Sequence, residues 1–557
     1  ALQGAMDIVA ERVAEDAEAR GWVREHTRSK GWLVAKARKP EAESVYRDYY
    51  DYREPLGRVV PHRILAINRG EREEFLGVRV EVEQDPVLSR PNRRFVKEGA
   101  ATSDLVKKAV ADAYKRLIAP AVERDIRGEL TEKAETRAMQ VFSKNLRSLL
   151  LQPPVRGGAV LGVDPAYRTG CKWAVVSATG KLLEVGVVYP TPPHKKVEEA
   201  RAVFERLAGQ YQVQSIVIGN GTASRETEQF VAEFIRTSNR TGLSYTIVSE
   251  AGASVYSASK VAAREFPDLE ASERGAVSIA RRVQDPLAEL VKIEPRAVGI
   301  GQYQHDLPPK RLDEKLTEVV ESVVNYVGVD LNTASAPLLS YVAGINTTLA
   351  ENIVRRREEI EHFKDRRQLS KVPRLGPKTM EQCAGFLRIR DGENPLDATA
   401  IHPESYDLAY RVLELIGSDL SEIGRPAIRT KLAQVKAEEA AAKLGAGAPT
   451  LRDILDNLAR PGRDPREDLP PPVFRTDVLS IEDLRPGMEL KGTVRNVVDF
   501  GAFVDIGIKN DGLVHVSELS DNRVRHPLDV VAVGDVVKVR VLSVDAARGR
   551  VALSMRS

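Results

Sequence analysis

Residues 491–506 read KGTVRNVVDFGAFVDI, and residues 512–519 read GLVHVSEL. Both stretches are strand-sized and alternate apolar with other residues, which predicts β-strands. Ala502 and Val504 share one parity and are expected to face a core, whereas Phe503 falls on the opposite, solvent-facing parity. An aromatic residue kept on the solvent side of a strand is typical of a surface on which unpaired bases stack.

Further residues around this stretch extend the predicted surface. Phe500 lies at the turn before the Phe503 strand, and His515 lies in the next predicted strand. The cationic residues that border these rings are Lys491, Arg495, Arg548 and Arg550. From 486 to 555 the pattern resembles the ribosomal S1 type of OB-fold RNA-binding domain. That resemblance implies an RNA-binding face made of Phe500, Phe503, His515, Asp545 and Arg550. The alternative is that the aromatic residues belong to the barrel core and that His515 is a satisfied polar residue.

The bulk composition describes an ordinary globular protein with several domains. A chain of 557 residues is too long for one hydrophobic core. It has 83 basic and 80 acidic residues, a net charge of only +3. Total charge therefore argues neither for nor against nucleic-acid binding, and any such affinity must come from local patches.

The residue types present argue against disulfides, zinc sites, bound cofactors and membrane-spanning segments. Cys171 and Cys383 are the only cysteines, which excludes a disulfide framework and zinc-binding cysteine pairs and fits a reducing cytoplasm. The eight histidines lack metal-ligand spacing, and we predict no cofactor, no ATP and no NAD. No apolar run is long enough to cross a membrane. The chain begins at Ala1 inside a helix-like sequence, so we expect an N-terminal portion to be missing.

Changes of periodicity divide the chain into five predicted regions. Helical spacing dominates the first, and strands alternate with helices in the second, which predicts an α/β layer with parallel central strands. Pro and charged residues enrich 461–472 and predict a flexible linker before the barrel. The regions are 1–154 (helical with a short β insert), 155–300 (α/β), 301–400 (paired helical hairpins), 401–473 (helical connector and linker) and 474–557 (barrel).

Acidic residues in the α/β region are candidates for catalysis. Asp164 closes the first predicted strand and Glu250 closes a later one, while Glu273 precedes a predicted helix and Asp285 is a further candidate for the third acid. Over 157–299 the region resembles an RNase-H-like fold of the YqgF type, which is related to junction-resolving nucleases. Acids at strand ends can bind two divalent metals and drive attack on a phosphodiester, so this interpretation would require Mg²⁺ or Mn²⁺.

The same carboxylates have a structural interpretation. Acids at such positions routinely cap helices or pair with arginines, of which Arg168, Arg274 and Arg281 are near in sequence. Because neither Glu273 nor Asp285 matches the expected third acid closely, the acid set is incomplete. We therefore favour a scaffold or nucleic-acid-binding surface without catalysis and assign no metal ligand.

The third region contains two helical hairpins. Residues 337–357 and 369–386 each read as helix, tight glycine turn and helix, with Gly344 and Gly376 at the turns. Glycine permits close approach of the backbone, and the helix that follows offers N–H groups to a phosphate. The pattern resembles a tandem helix-hairpin-helix module, which binds nucleic-acid backbone without sequence preference. Arg374 and Lys378 add positive charge to the second turn. Alternatives are a ligand-free helical core and a protein-docking surface.

The order of the five regions is distinctive. Together with SEAGASVYS at 249–257 and GQYQHD at 301–306, it resembles the Tex family of bacterial transcription accessory proteins. The resemblance implies a multidomain α+β fold and a monomeric, RNA-preferring, cytoplasmic factor in transcription. The implied partners are RNA, single-stranded or duplex DNA, and RNA polymerase or ribosome-associated complexes, without a membrane. A metal-dependent nuclease remains the alternative function.

Overall fold

The computed structural model describes residues 2–556 apart from 239, 300–302, 470–471, 475–480, 482–483, 509, 525 and 547. The chain forms two compact units. The first comprises 1–142 with 301–312, and the second comprises 143–300 with 313–557. Helical and sheet-containing regions alternate along the chain, so the predicted multidomain α+β fold is confirmed.

The first unit packs helices around a three-stranded antiparallel sheet of order β2–β1–β3. Arg69 Nε donates to Asp306 (2.9 Å), which ties 301–312 to this unit. This sheet is the short β insert predicted for the region, and Val78 and Val80 alternate along β3. The elements are α1 (Leu2–Glu15), α2 (Ala17–Lys30), β1 (Trp32–Ala37), β2 (Asp51–Pro55), α3 (Pro61–Arg72), β3 (Leu76–Glu81), α4 (Gln84–Phe95), α5 (Ser103–Asp112) and α6 (Ala119–Leu150).

The α/β region of the second unit contains a five-stranded sheet of order β6–β5–β4–β7–β8. Strands β4, β7 and β8 are parallel, as predicted. Gly162 lets α11 lie close to β4, because a Cβ there would meet Ala276 O at 2.7 Å. The elements are β4 (Ala159–Asp164), β5 (Cys171–Val176), β6 (Leu182–Val188), α7 (Val197–Tyr211), β7 (Val213–Gly219), α8 (Ser224–Thr237), β8 (Ser244–Val248), α9 (Ala253–Ser257), α10 (Lys260–Glu265), α11 (Ala271–Gln284) and α12 (Pro286–Leu290).

Helices of 4 to 19 residues and two short strands follow this sheet. The two predicted hairpins are present, and Pro377 is the first residue of its helix, as its sequence position indicates. The elements are α13 (Pro309–Val327), β9 (Val329–Asp330), α14 (Ala336–Leu339), α15 (Thr347–Ile360), α16 (Pro377–Cys383), β10 (Leu387–Arg388), α17 (Tyr406–Leu415), α18 (Pro426–Ala433), α19 (Ala437–Leu444) and α20 (Ala448–Ala459).

A buried arginine joins the hairpins to the helices that follow them. Arg366 is 1% exposed. Its guanidinium donates to the carbonyls of Leu387 (2.7 Å), Thr399 (2.6 Å) and Ile401 (2.8 Å), and to the hydroxyl of Tyr406 (2.6 Å). Burying a charged group is costly unless its hydrogen bonds are satisfied, and here backbone carbonyls supply most of the acceptors. Arg366 therefore couples residues that are up to 40 positions apart.

The C-terminal region is a closed five-stranded barrel of order β11–β12–β13–β15–β14, as expected for an OB-fold. Ala502, Val504 and Val514 are completely buried in its core. The inward parity predicted from the sequence is therefore confirmed. The strands are β11 (Glu489–Val498), β12 (Gly501–Asp505), β13 (Gly512–His515), β14 (Val536–Asp545) and β15 (Arg550–Ser554).

The segment predicted as a flexible linker, 461–472, is anchored over part of its length. The side chain of Arg466 is 4% exposed and pairs with Asp464 (2.7 Å) and with Asp285 (2.7 Å). The prediction of a free tether is wrong for these residues, because composition does not reveal a buried ion-pair cluster. Residues 470–471 of the predicted linker lie outside the described residues. Within the described chain, no helix is both long and apolar enough to cross a membrane.

Candidate nucleic-acid interface

The outer surface of the barrel carries a continuous row of residues across three strands. Phe503 on β12 pairs with Leu513 on β13, which in turn pairs with Ala552 on β15. All three are partly exposed, whereas their sequence neighbours point into the core. Side chains two residues apart share a face of a sheet. His515 and Arg550 therefore belong to the same outer surface as Phe503.

The aromatic residues of this surface are accessible. Phe500 and Phe503 are half-buried, and their rings meet edge to face with centroids 6.2 Å apart and an interplanar angle of 86°. His515 is exposed and lies opposite Gly501 in the strand register. Its Nδ1 lies 2.9 Å from Ser517 Oγ, which orients the ring. The three rings are thus positioned outside the barrel core, where bases can stack on them.

Charged residues border the rings on the β15 side. Asp545 and Arg550 are register partners on β14 and β15, and both are exposed. Arg548 lies in the turn between them and donates its backbone N–H to Asp545 (3.1 Å). Because β15 is adjacent to β13, this group lies next to the strand that carries His515.

Two predicted border residues are placed differently. Lys491 is exposed, and its register partner on β14 is Lys538. It lies five positions along β11 from Asn496, which is the register partner of Phe503. At about 3.3 Å per residue, this places Lys491 roughly 17 Å along the strand from the position opposite Phe503. Arg495 binds Asp505 (2.6 Å) and donates to the carbonyl of Ile247 (3.0 Å), so its expected role in the border is wrong: it attaches the barrel to the α/β region.

The first hairpin turns at a glycine, as predicted. Gly344 has a φ of +82°, a backbone conformation that favours glycine. A Cβ at this position would lie 3.0 Å from the side chain of Gln382, so the turn also packs closely against the second hairpin. Asn346 caps α15 by accepting the N–H of Leu349 (2.9 Å).

The second hairpin differs from the first in the type of residue that adopts the left-handed backbone. Arg374, not Gly376, has the left-handed backbone, with a φ of +69°, whereas Gly376 is extended with a φ of −84°. A non-glycine residue in this conformation costs roughly 1–2 kcal/mol. Arg374 and Lys378 are both exposed, and no atom lies within 4 Å of a Cβ built at Gly376. The turn therefore presents two cations beside backbone that a ligand can approach.

The acids of the α/β region come together only in part. Asp164 ends β4 and Glu250 follows β8, and both strands end at the same edge of the sheet because they flank β7 in parallel. Burial, and then the charge of Glu250, raises the pKa of Asp164 to about 6. Burial also raises the pKa of Glu250, although the backbone of Gly221 donates to it. The two carboxylates thus form a desolvated pair.

A cation of the protein itself lies beside this pair. Arg282 on α11 is 6% exposed, and its Nη1 donates to the carbonyls of Ser249 and Ala251, the neighbours of Glu250. Its charge favours the ionised forms of Asp164 and Glu250. The sequence patterns did not single out Arg282. The sequence does contain a signal for the burial of Arg282, because Gly275, Ser278 and Arg282 recur at helical spacing on the buried face of α11.

In the part of the chain that the structure describes, no third acid joins Asp164 and Glu250. Glu273 accepts the N–H of Glu270 (2.9 Å) in a capping box, and Asp285 caps α12 and pairs with Arg466. Where α11 faces Asp164 it carries Gly275, since a Cβ there would lie 3.1 Å from the carboxylate. Among the described residues, no group of three or more His, Cys, Asp or Glu side chains is arranged to hold a metal ion.

Family profiles match every region described above. The family model described as "Tex protein YqgF-like domain" matches residues 158–284. The models described as "Tex central region-like" and "S1 RNA binding domain" match residues 1–142 and 483–556. "Helix-hairpin-helix motif" matches 324–388, and "HHH domain" matches 394–466. The matched domains follow the order inferred from the sequence.

Full-length relatives agree with these matches. The chain is 53% identical to the uncharacterized protein YdcI of Bacillus subtilis (strain 168), with 100% of the chain and 78% of the relative covered. It is 46% identical to "Protein tex" of Bordetella pertussis, of which 72% is covered, again over 100% of the chain. The chain belongs to the Tex family. To the "Transcriptional accessory protein Tex" of Neisseria gonorrhoeae it is 47% identical, with 100% of the chain and 74% of the relative covered.

Within this Tex chain, nucleic-acid-binding domain types occupy more of the sequence than periodicity indicated. Residues 401–473, interpreted as a helical connector, largely coincide with the matched HHH domain at 394–466. The S1-type barrel and the hairpins make this Tex chain a nucleic-acid-binding protein of the transcription accessory class.

Proposed function

We propose that this Tex protein binds single-stranded RNA in preference to other nucleic acids and acts without catalysis as an accessory factor in transcription. The observation that carries the proposal is the outer row of the barrel, where Phe500, Phe503 and His515 lie outside the core beside Arg550. Each base stacked on such a platform contributes roughly 1–3 kcal/mol. The role places the protein in the cytoplasm as a monomer, beside RNA polymerase or ribosome-bound RNA.

The hairpins supply a second, electrostatic contact. Arg374 and Lys378 are exposed beside an extended glycine, a combination that suits phosphate binding. Contacts of this kind weaken as salt rises, because bound counterions are released when a phosphate is neutralised. The same contact accommodates the backbone of single-stranded or duplex DNA, so the hairpins add affinity without selecting RNA. Selection of single strands comes from the barrel, since paired bases are not available for stacking.

An affinity panel tests this division of roles. Single-stranded RNA, single-stranded DNA and duplexes of equal length would be titrated at several salt concentrations by fluorescence anisotropy. We expect single-stranded RNA to bind most tightly and duplexes to show the steepest relative loss of affinity with salt. Equal affinity for duplex and single-stranded RNA at all salt concentrations would contradict the stacking role of the barrel.

The alternative function, a metal-dependent nuclease, has one supporting observation. Asp164 and Glu250 are paired at the sheet edge where RNase-H-like enzymes bind metals. Against it, Gly275 faces Asp164 where a further acid would be needed, and the guanidinium of Arg282 lies beside the pair. We therefore propose that Arg282, whose charge interacts first with the buried Glu289, also acts as a counter-charge to this pair.

Replacement of Asp164 by Asn distinguishes the two functions. The folded-state pKa of Asp164, about 6, lies above its ordinary value of 3.8. The ionised group is therefore disfavoured in the fold, and wild-type stability falls as pH rises from 3.8 through 6. We expect Asp164→Asn to raise the free energy of unfolding by about 2–3 kcal/mol above pH 6, and the gain to vanish near pH 3.8.

Thermal unfolding across this pH range, with and without excess Mg²⁺ or Mn²⁺, provides the measurement. The amide leaves the size of the side chain unchanged, so Asp164→Asn is its own steric control. Stabilisation of the wild type alone by the metal, together with metal-dependent RNA cleavage that Asp164→Asn abolishes, would support the nuclease instead.

A further inference from the structure

A cavity of about 830 Å³ lies between the barrel and the α/β region within the second unit. Its volume is in the range of pockets that hold small organic ligands. Two hydrogen bonds connect its walls: Arg495 Nη2 donates to the carbonyl of Ile247 (3.0 Å), and Arg225 Nη1 donates to the carbonyl of Gly507 (3.3 Å). We call this cavity the cleft pocket.

The cleft pocket adjoins the outer surface of the barrel at Phe503. Phe503 belongs both to the outer row of the barrel and to the lining of the pocket. On the other side, the pocket is lined by Asn220 and Thr222 of the turn between β7 and α8, by Ser224 at the start of α8, and by Tyr167. A single strand of RNA whose bases stack across the barrel therefore reaches the pocket at Phe503.

The charges around the cleft pocket favour a neutral occupant. Arg225 pairs with Glu228 (2.8 Å) and Arg495 pairs with Asp505 (2.6 Å), so these cations are already neutralised. Asp511 also lines the pocket and adds a negative charge that repels phosphate. Arg282 and Glu226 line the pocket as well: the guanidinium of Arg282 donates to the carbonyls of Ser249 and Ala251, and Glu226 accepts from the hydroxyl of Tyr167 (2.9 Å). The other polar groups of the lining are amides and hydroxyls, and they lie beside the aromatic side chains of Phe503 and Tyr167. Those groups recognise the edge and the face of a nucleobase.

We propose that the cleft pocket holds one unpaired nucleobase of an RNA strand that continues past Phe503. The proposal rests on the RNA-binding function proposed above and adds the α/β region to the binding site. The base that follows the barrel-bound segment leaves the outer surface and lies between Phe503 and the β7–α8 turn. The YqgF-like region then serves as the second wall of a single-strand site.

A pocket-filling variant separates the two parts of the site. OB-folds bind from about four nucleotides upward, so an RNA tetranucleotide covers the barrel alone, whereas an octanucleotide extends beyond it. Thr222 is exposed and lines the pocket. We expect Thr222→Trp to bind the tetranucleotide like wild type and the octanucleotide at least about fivefold more weakly, the lower bound for one stacked base.

Gln229→Trp is the matched control, because Gln229 is an exposed residue of α8 outside the pocket lining. It is expected to bind both oligonucleotides like wild type. Wild-type affinity of Thr222→Trp for the octanucleotide, or an equal loss for both lengths, would overturn the pocket assignment.

Photo-crosslinking of the wild-type protein gives an independent readout if Thr222→Trp fails to fold. An octanucleotide carrying 5-iodouridine is expected to crosslink to Tyr167, whereas the tetranucleotide is not. Absence of the Tyr167 crosslink would reject the pocket. If the double variant Phe503→Ala, His515→Ala loses tetranucleotide binding in the same experiment, the RNA-binding role of the barrel is supported even when the pocket is rejected.

Discussion

Phe503→Ala combined with His515→Ala is expected to weaken binding of a short single-stranded RNA at least about 30-fold at fixed salt, as measured by fluorescence anisotropy. The estimate follows from two stacked bases at roughly 1–3 kcal/mol each. Neither ring belongs to the barrel core: Phe503 is half-buried and His515 is exposed. The circular dichroism spectrum and the melting temperature should therefore change little.

Val530→Ala serves as the control for this pair of substitutions. Val530 is an apolar residue of the same barrel and is 40% exposed, so its truncation removes surface hydrophobic area without removing a ring. Wild-type RNA affinity is expected. Unchanged affinity of the double variant, with an intact fold, would refute the stacking assignment and leave the hairpins as the main contact.

Arg366→Met should produce the largest loss of stability. Methionine matches the apolar stem of arginine but leaves the carbonyls of Leu387, Thr399 and Ile401 without their shared donor. Removing one partner from a buried charged network costs about 3–5 kcal/mol. Hydrogen exchange along a urea titration should show the loss first in 394–415, where the acceptors of Arg366 are concentrated.

The adjacent arginine provides a matched control. The side chain of Arg367 is 88% exposed and pairs only locally with Asp365. Arg367→Met is expected to change stability by no more than about 1 kcal/mol. Similar losses in the two variants would mean that burial of Arg366 does not determine the cohesion of this region.

The strands of the barrel and their faces were predictable because each strand encodes its orientation locally. Alternation with a period of two separates Ala502 and Val504 from Phe503, and the structure places the first two in the core. The parallel strands of the α/β region were predictable for a similar reason, since short apolar runs alternate with helices. In the second hairpin, the left-handed backbone of Arg374 was not predictable from the sequence, because glycine is the residue that adopts this conformation most readily.

The chemistry of the acids could be predicted only in part. Asp164 ends β4 and Glu250 follows β8, the two strands that flank β7 in parallel, so their position at the same sheet edge follows from topology. The position of Gly275 opposite Asp164 depends on how α11 is rotated against the sheet, and the burial of Arg282 depends on the same packing. Helical periodicity defines a buried face but does not say which residue on that face meets a given strand end.

The sequence by itself thus determined the barrel with its outward rings and the two hairpins, because period and turn chemistry act between near neighbours in the chain. Tertiary structure alone decided the pairing of Arg466 with Asp285 across 181 positions, the attachment of Arg495 to Ile247 across 248, and the cleft pocket that opens at Phe503. Such contacts form only after separate elements have packed. Their partners depend on the geometry of that packing, and no local periodicity records it.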